Sequence, residues 1–531
     1  MGNTNPPWLQ DLLKPESYPN RPDSIKLLQT HLSWVFLAGD LVFKIKKPVD
    51  FGFLDFTTLE KRKFFCQEEI RLNKRLCPEI YLDVVPITKD GQAFHVNGDG
   101  QPVEWAVKMK RMPDDGLMSA LINRDEVTKR DIEEICHILA PFYEKAKAKE
   151  DKLYLGSIDV VRENCEENFI QTESFINKAL SKDTFEQIRT YTRDFLSRNQ
   201  ALFEKRQRQG WIVEGHGDLY SANICFDREK NKIYIFDCIE FNERFRYGDV
   251  AVDVAFLAMD LDFLGLCDLS AYFIEKFRTE MKDEDLCLLL DFYKCYRAYV
   301  RGKIGCFTWA SPEVDKETRE TSLKMAKRYF QLALRYAGGI KSTPTLYVFL
   351  GLSGTGKSTI ARAFAEKKKI SWFNSDIVRK ELVTGIPAHE KRLEPFGQGI
   401  YSPTFTKKTY RALSRLAGQE LIIGKDAIVD ATYLDKEKRE QIAGLAKACG
   451  AKLVFIHCTC PDDIAIKRMS KRLESSDTVS DGRKEIFEKQ QTIFRPPQSS
   501  EADQIVQLDT SDSVERVLER LEILLSDRSY G

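Results

Sequence analysis

Two features that would suggest a nucleic-acid-binding or membrane protein are missing from this sequence: an excess of charge of one sign and a long uncharged apolar run. Lysine plus arginine and aspartate plus glutamate number 81 each, so no overall field attracts nucleic acid or a membrane surface. The longest apolar run, 250–267, contains Asp253, Asp260 and Asp262, which excludes a membrane span. We therefore expect no membrane partner, and nucleic acid binding only through a local basic groove.

Signs of a disulfide framework or of secretion are missing as well. The 13 cysteines are scattered and odd in number, without a C-x-x-C pair, which is typical of reduced thiols in a cytosolic protein. The first residues are polar and rich in proline and contain no signal-peptide core. We therefore expect a cytoplasmic protein.

A chain of 531 residues is too long for one hydrophobic core. Its 43% hydrophobic and 31% charged residues are ordinary for a soluble globular protein. The segment Gly-Gly-Ile-Lys-Ser-Thr-Pro at 338–344 interrupts a long helical pattern and precedes an apolar strand. These features predict a first domain at 1–337, a linker at 338–344 and a second domain at 345–531.

The second domain begins with a P-loop pattern, G-x-x-x-x-G-K-S, at 351–358. An apolar strand precedes it and helical periodicity follows it, which favours a nucleotide site over a chance glycine turn. Glycines let the backbone N–H groups point inward, Lys357 reaches the β- and γ-phosphates, and Ser358 Oγ is a Mg²⁺ ligand. The residues expected to bind ATP or GTP are Gly351, Ser353, Gly354, Thr355, Gly356, Lys357 and Ser358.

Beyond the P-loop, apolar strands alternate with helical segments. The strands are expected at 370–374, 427–429, 452–457 and 504–508. This alternation predicts an α/β P-loop NTPase domain with a mainly parallel sheet. In such folds the ligands bind at the carboxyl ends of the strands.

Polar residues follow two of these strands. Asp376 is placed to activate an acceptor hydroxyl, and Arg379 to bind an anionic part of the acceptor. The alternatives are that Asp376 only caps a helix and that Arg379 is a surface charge. Arg468 and Arg472, four residues apart on a predicted helix at 461–473, suit a lid over the transferring phosphoryl group. A solvated helix face is the alternative for this pair.

The first domain opens with two strands joined at Gly39-Asp40, and the second strand places Lys44 and Lys46 on one face. A helix at about 57–76 includes Glu69 in its apolar stripe. A carboxylate on an inward face needs a partner, and a strand lysine is a suitable one. Alternatively, the lysines line a solvated face and Glu69 lies at the edge of its stripe.

A second polar group suits phosphoryl transfer. Asp218 and Asn223 lie in a loop between two apolar strands, and Asp237 follows the next strand. An aspartate can orient or deprotonate an acceptor hydroxyl, while an asparagine and a second aspartate hold Mg²⁺ on the nucleotide phosphates.

The segment His216-Gly-Asp218 with Asn223 resembles the H-G-D-x-x-x-x-N catalytic loop of the aminoglycoside phosphotransferase family, a branch of the protein-kinase-like fold. The resemblance implies an α+β, bilobal, kinase-like domain in which Asp218 is the catalytic base and His216 orients the loop. Asp249 and Asp253 resemble the residues that support the loop.

The same resemblance implies that Asn223 and Asp237 are metal ligands, that Lys44 binds phosphate and that Glu69 is its helix partner. Because Lys46 and Glu68 lie close by in the sequence, the choice of Lys44 over Lys46 and of Glu69 over Glu68 stays open. No G-x-G-x-x-G motif is present; only Gly39-Asp40 occupies the corresponding hairpin.

The second domain resembles the small P-loop kinases, including polynucleotide 5′-kinase, zeta-toxin-like and gluconate-kinase-like enzymes. The D-x-x-R after the strand expected at 370–374 implies that Asp376 is a base and that Arg379 binds phosphate, and Asp430 resembles the acidic residue that supports Mg²⁺. As a whole, the chain resembles fusions described as bifunctional aminoglycoside phosphotransferase and ATP-binding proteins.

Together these patterns predict an ATP- and Mg²⁺-dependent phosphotransferase with two nucleotide sites and hydroxyl acceptors that are small molecules. Two other hypotheses stay open: one domain senses nucleotide and gates the other, or the chain processes nucleic-acid 5′-ends. The sequence identifies neither the acceptors nor the oligomeric state.

Overall fold

The computed structural model describes residues 6–474 and 483–526, apart from 391, 393 and 396. Within these ranges an antiparallel sheet and a helical region are followed by a parallel sheet flanked by helices. None of the helices in the described ranges combines the length and the apolar character that crossing a bilayer requires.

The strands and helices are numbered in chain order. The strands are β1 (Ile25–Gln29), β2 (Ser33–Ala38), β3 (Leu41–Lys46), β4 (Tyr81–Asp90), β5 (Ala93–Val96), β6 (Gln101–Lys110), β7 (Ile212–Glu214), β8 (Ile224–Asp227), β9 (Lys232–Ile235), β10 (Tyr247–Asp249), β11 (Thr345–Leu350), β12 (Ser371–Asn374), β13 (Ala427–Asp430), β14 (Lys452–Thr459) and β15 (Gln504–Asp509). The helices are α1 (Leu59–Asn73), α2 (Met118–Asn123), α3 (Lys129–Lys145), α4 (Ile158–Thr172), α5 (Lys182–Arg198), α6 (Gln200–Arg208), α7 (Glu243–Arg246), α8 (Val250–Phe263), α9 (Cys267–Met281), α10 (Leu286–Ala310), α11 (Lys316–Tyr336), α12 (Lys357–Lys368), α13 (Ser375–Ile377), α14 (Pro403–Leu421), α15 (Lys436–Ala448), α16 (Asp462–Glu474), α17 (Lys484–Ile493) and α18 (Val514–Ser526).

The first sheet has six strands in the order β1-β2-β3-β6-β4-β5, and all its neighbours are antiparallel. The predicted β2–β3 hairpin is confirmed, and Gly39 in its turn has a φ of +65°. On β3, Phe43 and Ile45 enter the core on one face. Because strand residues alternate, Lys44 and Lys46 share the other face.

The predicted helix at 57–76 is observed as the shorter α1. Thr58 caps it by accepting a hydrogen bond from the Lys61 N–H group. Cys66, Glu69 and Leu72 are fully buried where α1 packs across β4 and β6. The inward face of the helix therefore carries a carboxylate, as its position in the apolar stripe predicts.

The helical region packs around α8, α10 and α11. The apolar run of α8 is buried along nearly its whole length, and Asp262 within it pairs with Lys294 at 2.8 Å. The helical pattern over 182–206 predicts one long helix, but the structure has two, α5 and α6, which meet at Asn199. Asn199 hydrogen-bonds back to Phe195 through its own amide and so ends α5 locally.

The predicted parallel sheet is confirmed, with five strands in the order β12-β13-β11-β14-β15. Helices α12 and α18 cover one face, and α14 and α15 cover the other. Successive side chains of β11 point to opposite faces of the sheet. Phe349 packs with α12 and α18, while Val348 and Leu350 pack toward α14 and α15. In the strand order, β11, which leads into the P-loop, is the central strand.

The two sheets belong to regions that share a packed interface. Helices α14 and α15 lie between the parallel sheet and helices α8 and α9, in one continuous apolar cluster. Gly418 and Gly265 bring the two backbones together, since a Cβ on Gly418 would lie 2.4 Å from the Gly265 carbonyl oxygen. Arg415 and Asp125 form a buried ion pair across the interface at 2.8 Å. The 338–344 segment is therefore one of several connections.

Candidate functional site

The side chain of Glu69 lies between the two strand lysines. Its carboxylate oxygens are 2.9 Å from Lys44 Nζ and 2.7 Å from Lys46 Nζ. Glu68 instead pairs with Arg71 on the surface of α1. The inward carboxylate is therefore Glu69, and it contacts both candidate lysines.

The two lysines differ in exposure. Lys44 Nζ is 2.5 Å from Asp237 Oδ1, and 19% of the Lys44 side chain is exposed. Lys46 is 1% exposed and forms its second ion pair with Glu240. Lys44 is the lysine that a bound ligand can reach, and it stays the predicted phosphate-binding residue.

The positive charges of Lys44 and Lys46 stabilise the ionised form of Glu69 more than burial destabilises it. Burial alone would raise the pKa of Glu69, but Lys44 and Lys46 hold it at about 2. Burial likewise disfavours the charged form of Lys44, yet Asp237, Glu69 and Glu240 raise its pKa well above the usual value. Lys44 is therefore a fixed cation, which suits phosphate oxygens.

Backbone and side-chain bonds hold the loop that contains His216. The N–H groups of His216 and Gly217 donate to the Asp253 carboxylate at 2.7 and 3.0 Å. His216 Nδ1 accepts from the Asp218 N–H group at 3.2 Å, which leaves Nε2 to donate to the Phe236 carbonyl at 2.9 Å. Burial lowers the pKa of His216. A neutral, doubly bonded imidazole orients the loop and has no spare position for a substrate proton.

Asp218 lies at the start of this loop, beside Asn223. The Asn223 amide donates to the Asp218 carbonyl at 3.0 Å and to its Oδ2 at 3.1 Å. Burial raises the pKa of Asp218 to about 6, and the nearby positive charge of Arg301 limits the rise. A carboxylate with this pKa is ionised at pH 7 and accepts protons better than an ordinary aspartate.

Asp237 carries backbone strain. Its φ is +65°, in the left-handed region that residues with side chains rarely adopt. Its N–H group donates to the Tyr81 hydroxyl at 3.2 Å, and its side chain is 42% exposed and reaches Lys44. An observed strain of this kind, at a carboxylate open to solvent, is often associated with function.

The oxygen donors of this site fit Mg²⁺. Hard cations take carboxylate and amide oxygens and complete their shell with water and phosphate oxygens, so one or two protein ligands suffice. Asp237 and Asn223 supply such donors. In the described ranges no group of three or more His, Cys, Asp or Glu side chains has metal-binding geometry. A cation here would therefore depend on the nucleotide for much of its coordination.

The glycines of the P-loop are required by its backbone. Gly351, Gly354 and Gly356 have φ values of +132°, +81° and +81°, where side chains are strained. A Cβ on Gly351 would lie 2.5 Å from the Cys458 carbonyl oxygen, and one on Gly354 would lie 2.8 Å from that of Ala465. The loop leads directly into α12, whose N-terminus favours an anion.

Residues inside and outside the loop satisfy its polar groups. Lys357 Nζ donates to the Leu352 carbonyl at 2.7 Å, and the Ser353 N–H group donates to Gln490 Oε1 at 2.8 Å. Gln490 belongs to α17 and is buried. The sequence provides no role for Gln490, although a buried polar residue on an amphipathic helix is a usable signal.

Three side chains meet below the P-loop. Asn374 Nδ2 donates to Asp430 Oδ2 at 2.7 Å and to Ser358 Oγ at 3.2 Å. Burial raises the pKa of Asp430, against the opposing effects of Lys357, Ser358 and Asn374. A serine hydroxyl beside a carboxylate fits a nucleotide-bound Mg²⁺. The bridging role of Asn374 was not predicted.

Asp376 and Arg379 follow β12. The helix cap here is Asn374, whose side chain accepts from the N–H groups of Asp376 and Ile377, so the capping alternative for Asp376 is wrong. The surface-charge alternative for Arg379 is wrong too, because Arg379 is buried and donates to the Ile400 carbonyl at 2.9 Å. A role in acceptor binding stays a prediction for both residues.

Arg468 lies against the P-loop. Its guanidinium donates to the Thr510 carbonyl at 2.7 Å and to Thr510 Oγ1 at 3.2 Å, and a Cβ on Gly356 would lie 3.2 Å from it. Thr510 in turn donates to the Thr355 carbonyl at 2.6 Å. Thr510 was not predicted, although it directly follows β15 at the ligand-binding edge of the sheet. The side chain of Arg472 lies outside the described residues.

The parallel sheet, the glycine loop and Lys357 define the C-terminal region as a nucleotide-binding P-loop domain. The sequence profile of a family described as an AAA domain matches residues 346–497. The chain belongs to the same family as Uncharacterized protein Rv2004c of Mycobacterium tuberculosis, with 31% identity over 456 residues that cover 84% of this chain and 86% of that protein. Uncharacterized protein Mb2027c of Mycobacterium bovis matches to the same extent.

Several solved structures are also similar to parts of the chain. A sugar kinase from Janibacter sp. HTCC2649 is 20% identical, with a TM-score of 0.26. The match covers 34% of this chain and 94% of the kinase chain. A gluconokinase from Sinorhizobium meliloti is 18% identical, with a TM-score of 0.24, and the match covers 35% of this chain and 98% of the gluconokinase chain. A Plasmodium vivax ethanolamine kinase is 12% identical, with a TM-score of 0.35, and the match covers 57% of this chain and 81% of the ethanolamine kinase chain. Scores this low carry no weight for function.

Proposed function

We propose that the chain is an ATP- and Mg²⁺-dependent phosphotransferase with two sites, each of which transfers the γ-phosphate to a hydroxyl group of a small molecule. The observation that carries the proposal is the convergence of Lys44, Glu69 and Asp237 from three separate elements beside the loop of Asp218. An antiparallel sheet followed by a helical region, with this group between them, supports a kinase-like bilobal domain.

At the first site, Lys44 binds phosphate oxygens of ATP and Glu69 holds it in place. Asn223 and Asp237 would hold Mg²⁺, which would neutralise negative charge on the phosphates. Asp218 Oδ accepts the proton of the acceptor hydroxyl as the oxygen–phosphorus bond forms and the bond between the γ-phosphorus and ADP breaks. The raised pKa of Asp218 suits this role.

At the second site, the N–H groups of the P-loop and Lys357 bind the phosphates. Ser358 and Asp430, which both accept hydrogen bonds from the Asn374 amide, would hold the metal ion. Arg468, next to Gly356, is in position to contact the transferring group. We assign the base to Asp376, at the carboxyl end of β12.

A nucleotide-sensing role for the second domain is the main alternative, and α14 favours it. Tyr410 on this helix bonds Thr432 Oγ1 at 3.2 Å, and the Thr432 carbonyl accepts from the Gly351 N–H group of the P-loop. Arg415, farther along α14, pairs with Asp125 just after α2. Helix α2 packs against the 3₁₀ turn that contains Asn223. One helix therefore joins both sites. Nucleic-acid 5′-end processing rests only on the Asp376–Arg379 spacing.

The test compares wild-type protein, Asp218→Asn, Lys357→Ala and the double variant. Each is incubated with γ-labelled ATP and a panel of hydroxyl compounds, small-molecule cell extract and a 5′-hydroxyl oligonucleotide. We expect each single change to abolish a different set of labelled products. If only Asp218→Asn abolishes turnover and Lys357→Ala merely changes its rate, the second domain has the nucleotide-sensing role. If neither change affects any transfer, the proposal is wrong.

A further inference from the structure

Helix α10 directs four cations into the protein, and three of them have clear partners. Lys294 pairs with Asp262 at 2.8 Å. Arg297 lies 3.5 Å from Asp253 Oδ1 and donates to the Val252 carbonyl. Lys303 donates to Asn168 and Gln171 at 2.6 and 2.7 Å. These contacts account for the burial of the three residues.

Arg301 is the fourth, and its surroundings differ. Its guanidinium carbon lies 4.8 Å from the ring centre of Tyr220 and 5.7 Å from that of Tyr329. Its buried Nε has no hydrogen-bond partner. Within the described part of the chain no carboxylate lies within the 4.0 Å of an ion pair from it. A guanidinium held between aromatic rings, with a donor unused, is arranged to receive an anion.

The position of Arg301 relates it to the first site. Tyr220 is two residues after Asp218. The charge of Arg301 opposes the rise that burial causes in the pKa of Asp218 and of Asp260. Arg301 therefore lies beside the proposed base, on the side formed by α10 and α11.

We propose that Arg301 binds an oxyanion, phosphate or carboxylate, carried by the acceptor of the first site. Given the proposed function, the substrate of that site is a hydroxyl compound with an acidic group rather than an amine. A planar guanidinium fixed by Tyr220 and Tyr329 makes paired hydrogen bonds to such a group. The ammonium groups of an amine-rich acceptor would instead face a fixed cation, which is unfavourable.

The same chemistry has a second source, the γ-phosphate of ATP, and kinetics separates the two. Phosphate transfer is measured to matched pairs: glycerol and glycerol 3-phosphate, ribose and ribose 5-phosphate, ethanolamine and glycolate. The proteins are wild type, Arg301→Gln and Lys303→Gln, a matched change on the same helix. We expect transfer to the anionic members, and in Arg301→Gln a KM for the acceptor that rises about 10- to 100-fold with the KM for ATP unchanged.

Three results would overturn the inference: equal transfer to the neutral members, preference for ethanolamine, or a raised KM for ATP instead of the acceptor. A direct binding measurement covers the case in which no acceptor of the panel is used. Inorganic phosphate is added to Lys357→Ala protein, with and without Arg301→Gln, at constant ionic strength. A phosphate-dependent rise in Tm that needs Arg301 supports an anion site even if transfer fails, and an equal rise in both proteins contradicts it.

Discussion

The two proposed sites of this chain hold their lysines, Lys44 and Lys357, in different ways. Lys44 is held by carboxylates, one from a helix and one 193 residues away at Asp237. Lys357 follows directly on the glycine loop, and donates to the carbonyl of Leu352 in that loop. The first site is thus a network of buried charges that depends on the folding of a whole domain. The second is a backbone conformation encoded within a short segment.

The two sites are therefore vulnerable to different substitutions. A buried charge network fails when one member is removed, because the remaining charges lose their compensation. A glycine loop fails when its backbone cannot turn, and tolerates changes around it.

Glu69→Gln should have the largest effect on stability. It leaves Lys44 and Lys46 each with a single carboxylate, and we expect the free energy of unfolding to fall by about 3 kcal/mol. First-site transfer should fall with it, while nucleotide binding to the P-loop is retained. Urea unfolding checks the change. Glu68→Gln, which changes a half-buried carboxylate paired with the exposed Arg71, is the control and should cost less than about 1 kcal/mol. Equal losses would contradict the contrast.

Gly418→Ala tests the interface that both sites share. The new Cβ would lie 2.4 Å from the Gly265 carbonyl oxygen, a backbone atom that cannot easily move. We expect a loss of about 1 to 3 kcal/mol by thermal unfolding. Gly444→Ala, in an exposed turn of α15 with open space around it, is the matched change and should stabilise by up to about 1 kcal/mol. If Gly418→Ala leaves the free energy of unfolding unchanged, the two regions are not closely packed at this point.

Acid should affect the first site more than the second. Asp218 must be ionised to accept a proton and has a pKa of about 6, so its transfer rate should fall about tenfold per pH unit below that value. Because Arg301 lowers this pKa, Arg301→Gln should move the fall to higher pH. Rates from pH 5 to 8 at saturating substrates measure both effects. A first-site rate independent of pH over this range would exclude Asp218 as the base.

Thr510→Val should have the smallest effect. It removes the hydroxyl that joins Thr355 and Arg468 while conserving shape, and we expect nucleotide affinity of the P-loop to fall by about 1 kcal/mol. Calorimetric titration with ATP measures this change. Thr492→Val removes an exposed hydroxyl from α17 and should leave the affinity unchanged. If both variants bind alike, Thr510 does not support the loop.

The sequence predicts the parts of the fold that short segments encode. The β2–β3 hairpin, the burial of Glu69 and the five parallel strands follow from apolar periodicity and turn residues. The break between α5 and α6 does not follow from the sequence, since the helical pattern continues through Asn199, where the side-chain amide bonds back to the Phe195 carbonyl.

Contacts between distant segments were missed for a different reason. Gln490 is 137 residues from Ser353, and Thr510 is 155 residues from Thr355. A lone polar residue gives no indication of which distant backbone group it will meet, because the pairing depends on how the helices pack on the sheet. Arg301 belongs to the same class: α10 is recognisable as a helix, but the residues that face each of its cations are set by tertiary packing.

The contact between Gly265 and Gly418 limits which halves of related chains can be combined. Backbones this close leave no room for a side chain on α14 at Gly418 or in the turn after α8 at Gly265, so the two regions fit each other closely. Exchanging one domain for that of a distant relative at the 338–344 segment would bring together surfaces that have not changed in step. We therefore expect such an exchange to cost stability unless both contact surfaces are exchanged together.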